Sequence, residues 1–167
     1  MSKSRRFRFL LPVAQCGLAA LFGGIGLWQR SAILSRPFVE GQTLWYSTAR
    51  LHVWPWPYKF AVISNYPATL MGFLTLWPID IVWPDVPESV HVAPSLLFVL
   101  ILWYWVGSRI DRRWAVTDKV PWIALSLFTL VCFIGAFLPL DDMGFLPYGF
   151  VVWMIAALTL SRRTHQC

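Results

Sequence analysis

The sequence predicts an all-helical protein that crosses a membrane several times, a polytopic integral membrane protein. Of its 167 residues, 57% are hydrophobic and only 13% are charged, against roughly 25% charged residues in an average soluble domain. The chain also carries 12 Phe, 11 Trp and 5 Tyr, more aromatic surface than a soluble domain of this length could bury. Disorder is excluded because disordered chains are poor in aromatic residues and rich in charge.

Five apolar segments divide the chain, and together they form a single membrane domain over residues 1–167. Crossing a hydrocarbon core of roughly 30 Å takes about 20 helical residues, so little chain remains for a soluble domain. We predict four or five transmembrane helices, because the second segment contains several polar residues and barely reaches across. The segments are predicted at 9–28, 60–83, 94–107, 121–138 and 147–160. Four of them carry a proline near the start, which suits a first helical turn: Pro67, Pro94, Pro121 and Pro147.

The first segment follows a basic N-terminus, an order that also describes a signal peptide. Its length and its poor cleavage site favour an uncleaved helix instead. Small residues recur every four positions at Cys16, Ala20 and Gly24, and such spacing lets two helices approach closely in lipid. We therefore predict a helix-packing face there, the alternative being that glycine is simply common in membrane helices.

Residues 29–59 are predicted to form the longest connection and to lie along the membrane surface. Its Trp54-Pro55-Trp56-Pro57 run cannot form a regular helix interior, because prolines remove donors and restrict their neighbours. Trp and Tyr beside basic residues such as Lys59 are typical of the aromatic belt at a membrane–water interface.

The basic residues favour one topology. If all five segments cross, the positive-inside rule places the basic N-terminus outside, which is unusual. If segment 60–83 is re-entrant or interfacial instead, the N-terminus, the basic loop 109–119 and the tail share the cytoplasmic side. The acidic loops 84–93 and 139–146 then lie outside. If the first segment fails to cross, all 14 basic residues are inside. We prefer a re-entrant second segment, because the first is the better span.

We predict no catalytic, cofactor-binding or metal-ligating residues. The sequence contains no Gly-rich phosphate loop, no HExxH and no GxSxG. Its three histidines are far apart, without the spacing of a metal site. The net charge of +6 does not indicate nucleic acid, because the basic residues flank apolar segments.

A few polar positions could nevertheless carry function: Asn65, Asp80, Asp85, Glu88 and His91. Charged residues at the edge of a span can mark an ion or proton path. The simpler interpretation is that these acids lie in a hydrated outer loop. Asn65 could line a polar pocket, or it could cap a helix or bond to a neighbouring one.

Three basic residues, Arg109, Arg112 and Arg113, form the clearest local charge pattern. One interpretation is a binding site for anionic lipid headgroups. The other is a plain positive-inside anchor with its aromatic belt, of which Trp103 would be part.

The expected function is that of a non-enzymatic accessory or scaffold subunit of the cell membrane, with the bacterial inner membrane as its location. Its expected partners are the lipid bilayer and other membrane subunits or further copies of itself. Two alternatives remain open. A small transporter or channel component would need a polar lumen, and a membrane-embedded enzyme would need several converging carboxylates or histidines.

Overall fold

The computed structural model describes residues 6–35, 54–83, 88–114, 119–138 and 142–161, without the side chains of 80, 88–93 and 142–143. These residues form helices and no strand, which confirms the predicted all-helical class. In chain order the helices are α1 (Phe7–Leu34), α2 (Trp56–Ser64), α3 (Tyr66–Val82), α4 (Glu88–Arg113), α5 (Val120–Phe137) and α6 (Asp142–Ser161).

Three helices in the described part of the chain are long and apolar enough to cross a membrane, fewer than the four or five predicted. They are Phe7–Leu34, Val120–Phe137 and the Gly144–Ser161 part of α6. These three helices indicate a membrane protein. Helix α3 is shorter, with 17 residues, which corresponds to about 25 Å.

Several predicted boundaries are wrong because charged residues extend the helices. Residues 88–93 and 109–113, predicted as loops, belong to α4. Residues 29–34 of the predicted first connection belong to α1, and residues 142–146 of the second acidic loop belong to α6. An acidic residue at a helix start and basic residues in its last turn interact favourably with the helix dipole, and α4 begins at Glu88 and ends with Arg112 and Arg113. For the same reason Pro94 lies inside α4 and Pro147 inside α6, whereas Pro67 and Pro121 lie in first turns as predicted.

Four helix termini meet at one end of the bundle, which we call the Asp111 end. The start of α1 lies against the end of α4, where the backbone N–H groups of Phe7 and Arg8 donate to the Asp111 carboxylate at 3.2 and 3.1 Å. The start of α5 joins them, since the rings of Trp122 and Phe7 are 5.0 Å apart. The end of α6 is also there, because Arg113 Nη1 donates to the Thr159 carbonyl at 3.3 Å.

The opposite end, which we call the Arg30 end, contains the last turns of α1 and the start of α2. The Arg30 guanidinium lies 3.5 Å from the centre of the Trp54 ring. The Trp56 ring stacks on Phe137, the last residue of α5, at 4.9 Å. Helices α1 and α2 approach closely at Gly26, where an added Cβ would lie 2.6 Å from the Tyr58 backbone nitrogen.

Helices α2 and α3 form a hairpin that enters from the Arg30 end and returns to it. Helix α2 ends inside the bundle, where the Trp153 indole of α6 donates to the Ile63 carbonyl at 3.0 Å. Helix α3 then runs antiparallel to α4: its early residue Ala68 clusters with Trp103, and the later Gly72 lies against Ser95. The predicted segment 60–83 is therefore two helices with a break at Asn65.

Candidate functional site: the hairpin turn and the groove beside it

The turn of the hairpin is formed by Ser64 and Asn65, which are both buried. Asn65 has non-helical backbone angles, φ −120° and ψ 24°, and serves as C-cap of α2 and N-cap of α3. The sequence explains the break, because Pro67 in the first turn of α3 has no N–H to continue the helix from α2. Of the three roles that the sequence left open for Asn65, a polar pocket, a helix cap or a bond to a neighbouring helix, this position corresponds to the cap.

The carbonyls of Ala61, Val62 and Ile63, in the last turn of α2, accept hydrogen bonds from the hairpin or from α6. Asn65 Nδ2 donates to the Ala61 carbonyl at 3.0 Å, and Ser64 Oγ donates to the same oxygen at 3.3 Å. The Asn65 backbone N–H donates to the Val62 carbonyl at 3.2 Å. Broken helices are tolerated at membrane depth only when neighbouring groups satisfy the freed backbone in this way.

The side chain of Asn65 also links the hairpin to α4. Its Oδ1 accepts a hydrogen bond from the Trp103 indole at 2.7 Å, and Trp103 is only 1% exposed. The interpretation of Trp103 as part of an aromatic belt is therefore wrong, since it is a core residue with its one polar atom paired. No local sequence signal identifies this pair, because its members are 38 positions apart.

The predicted position of Lys59 is also wrong. It lies in α2 and is 9% exposed, rather than in a surface connection, and its Nζ lies 6.0 Å from the centre of the Phe145 ring. A lysine in a mostly apolar bundle is uncommon, because burial of a charge is costly without partners.

A groove of about 420 Å³ lies between α1, the hairpin helices α2 and α3, and α4. We call it the α1 groove. Its lining is mostly apolar, and it opens on the outer surface of the bundle because Ala20, Gly24 and Phe73 are exposed. The residues that line it are Ala19, Ala20, Gly23, Gly24, Leu27, Arg30, Trp54, Tyr58, Ala61, Val62, Asn65, Thr69, Gly72, Phe73, Leu76, Ser95, Leu96 and Val99.

The small residues predicted for helix packing have different surroundings. Cys16 contacts α4, where its Sγ lies 3.6 Å from the Leu96 carbonyl. Ala20 and Gly24 instead line the α1 groove, and an added Cβ at Gly24 would meet no atom of the described chain within 4 Å. In the described residues α1 approaches α2 closely at Gly26, and its start approaches α4 closely at Gly107. Packing of Gly24 against a second molecule stays a prediction.

The three arginines predicted to contact lipid lie together in the last turns of α4 at the Asp111 end. Arg109 lies 5.2 Å from the centre of the Trp105 ring, and Arg109 and Arg112 are exposed. Arg113 is partly buried against α6. Between them, Asp111 faces the start of α1, a role that the charge pattern did not reveal. Whether these arginines bind anionic lipid stays a prediction.

The structure does not test whether the polar positions predicted in and near loop 84–93 form a cluster. Asp85 lies outside the described residues, and so do the side chains of Asp80, Glu88 and His91. Where side chains are described, no three His, Cys, Asp or Glu residues come together as possible ligands of a metal ion. The absence of a metal or cofactor therefore stays a prediction.

The fold and its apolar helices define the class as all-helical membrane protein. No protein-family model, curated protein or solved structure matches the chain. Its function is therefore argued from the hairpin and the α1 groove.

Proposed function

We propose that this protein is a non-enzymatic accessory or scaffold subunit of the membrane, which acts by binding an apolar partner in the α1 groove. The proposal is supported by the groove. Its lining is mostly apolar, and it opens toward the surroundings of the bundle. No side chain of the described chain fills the space at Gly23 or Gly24. The main buried polar groups hold the hairpin together, which supports a binding role rather than chemistry at the turn.

The proposed topology has four crossing helices, α1, α4, α5 and α6, with α2 and α3 as a re-entrant hairpin. Support comes from the four termini at the Asp111 end and from a hairpin that enters and leaves at the Arg30 end. Helix α4 has 26 residues, about 39 Å, which is enough to cross. Because Arg8, Arg109, Arg112 and Arg113 lie at the Asp111 end, the positive-inside rule orients that end toward the cytoplasm, as in a bacterial inner membrane.

Cysteine labelling tests this topology. Single cysteines at Ser2, Ser89 and Thr164 are introduced into a chain without its native cysteines and treated with an impermeant thiol reagent. In intact cells we expect labelling at Ser89 only, with Ser2 and Thr164 labelled after the membrane is opened. Labelling of Ser2 but not Ser89 in intact cells would contradict the orientation.

Co-purification in a mild detergent tests the binding role. Gly24→Leu places a large side chain in the groove, whereas Gly17→Leu on the same helix is a matched control: Gly17 is exposed, lines no part of the groove, and has no atom within 4 Å of an added Cβ. We expect the molecule that co-purifies with the parent, lipid or protein, to be lost with Gly24→Leu and kept with Gly17→Leu. Identical co-purification with all three chains would refute the role.

One observation favours the second candidate, a small transporter. The helix break lies inside the bundle, and transporters bind substrates at such breaks; Asn65 and Thr69 both line the groove there. However, a transporter needs a polar lumen, and the amide of Asn65 already bonds to Ala61, Ser64 and Trp103. Uptake of a polar solute by reconstituted protein, lost with Asn65→Ala but not with Gly24→Leu, would favour the transporter instead.

A further inference from the structure

We infer that one anionic phospholipid binds at the Asp111 end, with its phosphate held by Arg8 of α1 and by Arg109 and Arg112 of α4. We call the surface that holds it the arginine face. It consists of these three arginines and the exposed α4 residues Leu97, Ile101, Tyr104 and Trp105. None of them lines the α1 groove, so the inference goes beyond the proposed function and uses only the proposed position of the Asp111 end at a membrane surface.

The outer row of α4 changes polarity over the depth of one leaflet. Four residues of the arginine face lie at every fourth position, which makes them neighbours along the helix surface: Leu97, Ile101, Trp105 and Arg109. The first two are 55% and 57% exposed and Trp105 is 45% exposed, so the row passes from aliphatic to aromatic to charged. It rises by about 18 Å, and one leaflet with its headgroups is about 20–22 Å thick. An acyl chain, a glycerol backbone and a phosphate meet these three zones in that order.

Aromatic rings hold two of the arginine head groups. The Arg109 guanidinium lies 5.2 Å from the centre of the Trp105 ring. The Arg8 guanidinium lies 4.5 Å from the centre of the Phe9 ring and 5.9 Å from that of Tyr104. Stacking uses the flat face of a guanidinium and leaves the N–H donors in its plane. Within the described chain these two head groups contact rings rather than acceptors, so their donors can bind a phosphate.

Arg112 completes the set, whereas Arg113 does not belong to it. Arg112 is exposed and follows Arg109 by three positions, which places the two Cβ atoms about 5–6 Å apart on the helix surface. Arg113 is partly buried and donates to the Thr159 carbonyl of α6. The structure therefore narrows the three arginines of the sequence prediction to two and adds Arg8 from another helix.

Asp111 positions Arg8 at this face. Its carboxylate accepts the backbone N–H groups of Phe7 and Arg8, so the start of α1 is held against α4 and the Arg8 head group lies over Tyr104. The positive end of the α1 dipole compensates part of the carboxylate charge. Three guanidinium groups and one carboxylate leave the face positively charged, which complements an anionic headgroup.

Native mass spectrometry of the full chain in mild detergent tests the inference with two lipids that have the same acyl chains, dioleoyl phosphatidylglycerol and dioleoyl phosphatidylcholine. We expect the parent to bind phosphatidylglycerol about tenfold more tightly, because only its headgroup has a net negative charge. Soluble glycerol phosphate at the same concentration should not displace the lipid, since it has no chain to contact Leu97 and Ile101.

Substitutions at single positions separate a bound lipid from general attraction. Arg8→Gln, Arg109→Gln and Arg112→Gln should each weaken phosphatidylglycerol binding about fivefold, as expected for one basic residue beside an anionic lipid. Lys119→Gln is the matched control, because Lys119 is exposed at the same end but lies at the start of α5. It should change the affinity by less than about twofold. Arg109→Lys keeps the charge but loses the planar fork, and should weaken binding about threefold.

Equal affinity for the two lipids, or an equal loss with Lys119→Gln and Arg109→Gln, would reduce the arginines to a plain positive-inside anchor and overturn the inference. Parent-like affinity of Arg109→Lys would also overturn it, because a held phosphate needs the fork. Arg109 and Arg112 are exposed, so their variants give a result even if Arg8→Gln fails to fold.

Gly24→Leu distinguishes this inference from the proposed function. The substitution changes the α1 groove and should leave phosphatidylglycerol binding like that of the parent. Loss of phosphatidylglycerol with Gly24→Leu but not with Arg109→Gln would place the lipid in the groove and overturn the inference. Co-purification with Gly24→Leu tests the groove separately, so either proposal can fail while the other stands.

Discussion

Two helix ends in this molecule have backbone groups that side chains satisfy, and the two ends use different chemistry. At the Asp111 end, a charged carboxylate from α4 accepts the first N–H groups of α1, at Phe7 and Arg8. At the hairpin turn, neutral groups satisfy the last carbonyls of α2: the amide of Asn65 donates to Ala61, and the indole of Trp153 donates to Ile63. The indole of Trp103 in turn donates to the Asn65 side chain.

The use of a charged group at one site and neutral groups at the other follows from how deep each site lies in the bundle. At the Asp111 end a carboxylate remains near water and gains from the positive end of the α1 dipole. In the interior, an ionised side chain is expensive and needs a partner, whereas neutral donors and acceptors satisfy the broken backbone without any net charge. The two sites therefore predict that exchanging a carboxylate and an amide will be harmful in the interior and mild at the end of the bundle.

The largest effect is expected for Asn65→Asp. The substitution is nearly isosteric, but it removes the donor to the Ala61 carbonyl and introduces a charge among buried residues. We expect the free energy of unfolding to fall by about 3–5 kcal/mol, the range for an uncompensated buried charge, measured by SDS titration in a mild detergent. Thr69→Val on the next turn is the control and should lower it by about 1 kcal/mol or less, because the Asn65 carbonyl loses the Thr69 hydroxyl but keeps the Thr69 backbone N–H. Equal stability of the two variants would show that the turn is hydrated.

A smaller loss is expected for Trp153→Phe. The variant keeps most of the ring packing against Trp103 and Phe128 but removes the donor to the Ile63 carbonyl. We expect a loss of about 1–3 kcal/mol, typical of a buried acceptor left unpaired, in the same titration. Trp122→Phe is the matched control, because Trp122 is 51% exposed. A loss no larger than that of the control would mean that the indole bond is dispensable.

The reciprocal exchange, Asp111→Asn, should be milder. The amide oxygen can still accept one N–H from the start of α1, so the main loss is the charge–dipole interaction, about 0.3–1 kcal/mol. Asp111→Ala removes both acceptors and should lose about 1–2 kcal/mol. Indistinguishable losses in the two variants would show that the carboxylate charge contributes nothing.

The sequence was sufficient to predict the class of protein and part of the hairpin. Composition alone predicts a helical membrane protein, and Asn65 followed by Pro67 carries a local signal for a helix start. The partners of the turn could not be predicted, because Trp103 and Trp153 are brought to it only by packing of distant helices. The same applies to Asp111, which contacts residues more than 100 positions away.

Charge was the least reliable guide to local structure. Residues 109–113 were predicted as a loop because three of them are arginines, yet they continue α4. Lys59 was predicted at the surface for the same reason and is buried. In both cases the long aliphatic stem of a basic side chain can pack on apolar neighbours, so a charge marks where its head group goes rather than where a helix stops.

The smallest effect is expected for Asp80→Asn, which extends the comparison to a third carboxylate. Its backbone is in the last turn of α3, whose end returns to the Arg30 end, and its neighbours Ile81 and Val82 are 68% and 85% exposed. A carboxylate at a helix C-terminus is slightly disfavoured by the dipole, so removing its charge should change the free energy of unfolding by less than about 0.5 kcal/mol. Asp111→Asn, measured in parallel, should lower the free energy of unfolding, because the Asp111 charge faces a helix start instead. If stability depends strongly on pH in the parent and this dependence disappears in Asp80→Asn, then Asp80 lies within the hydrocarbon and α3 does not end at the interface.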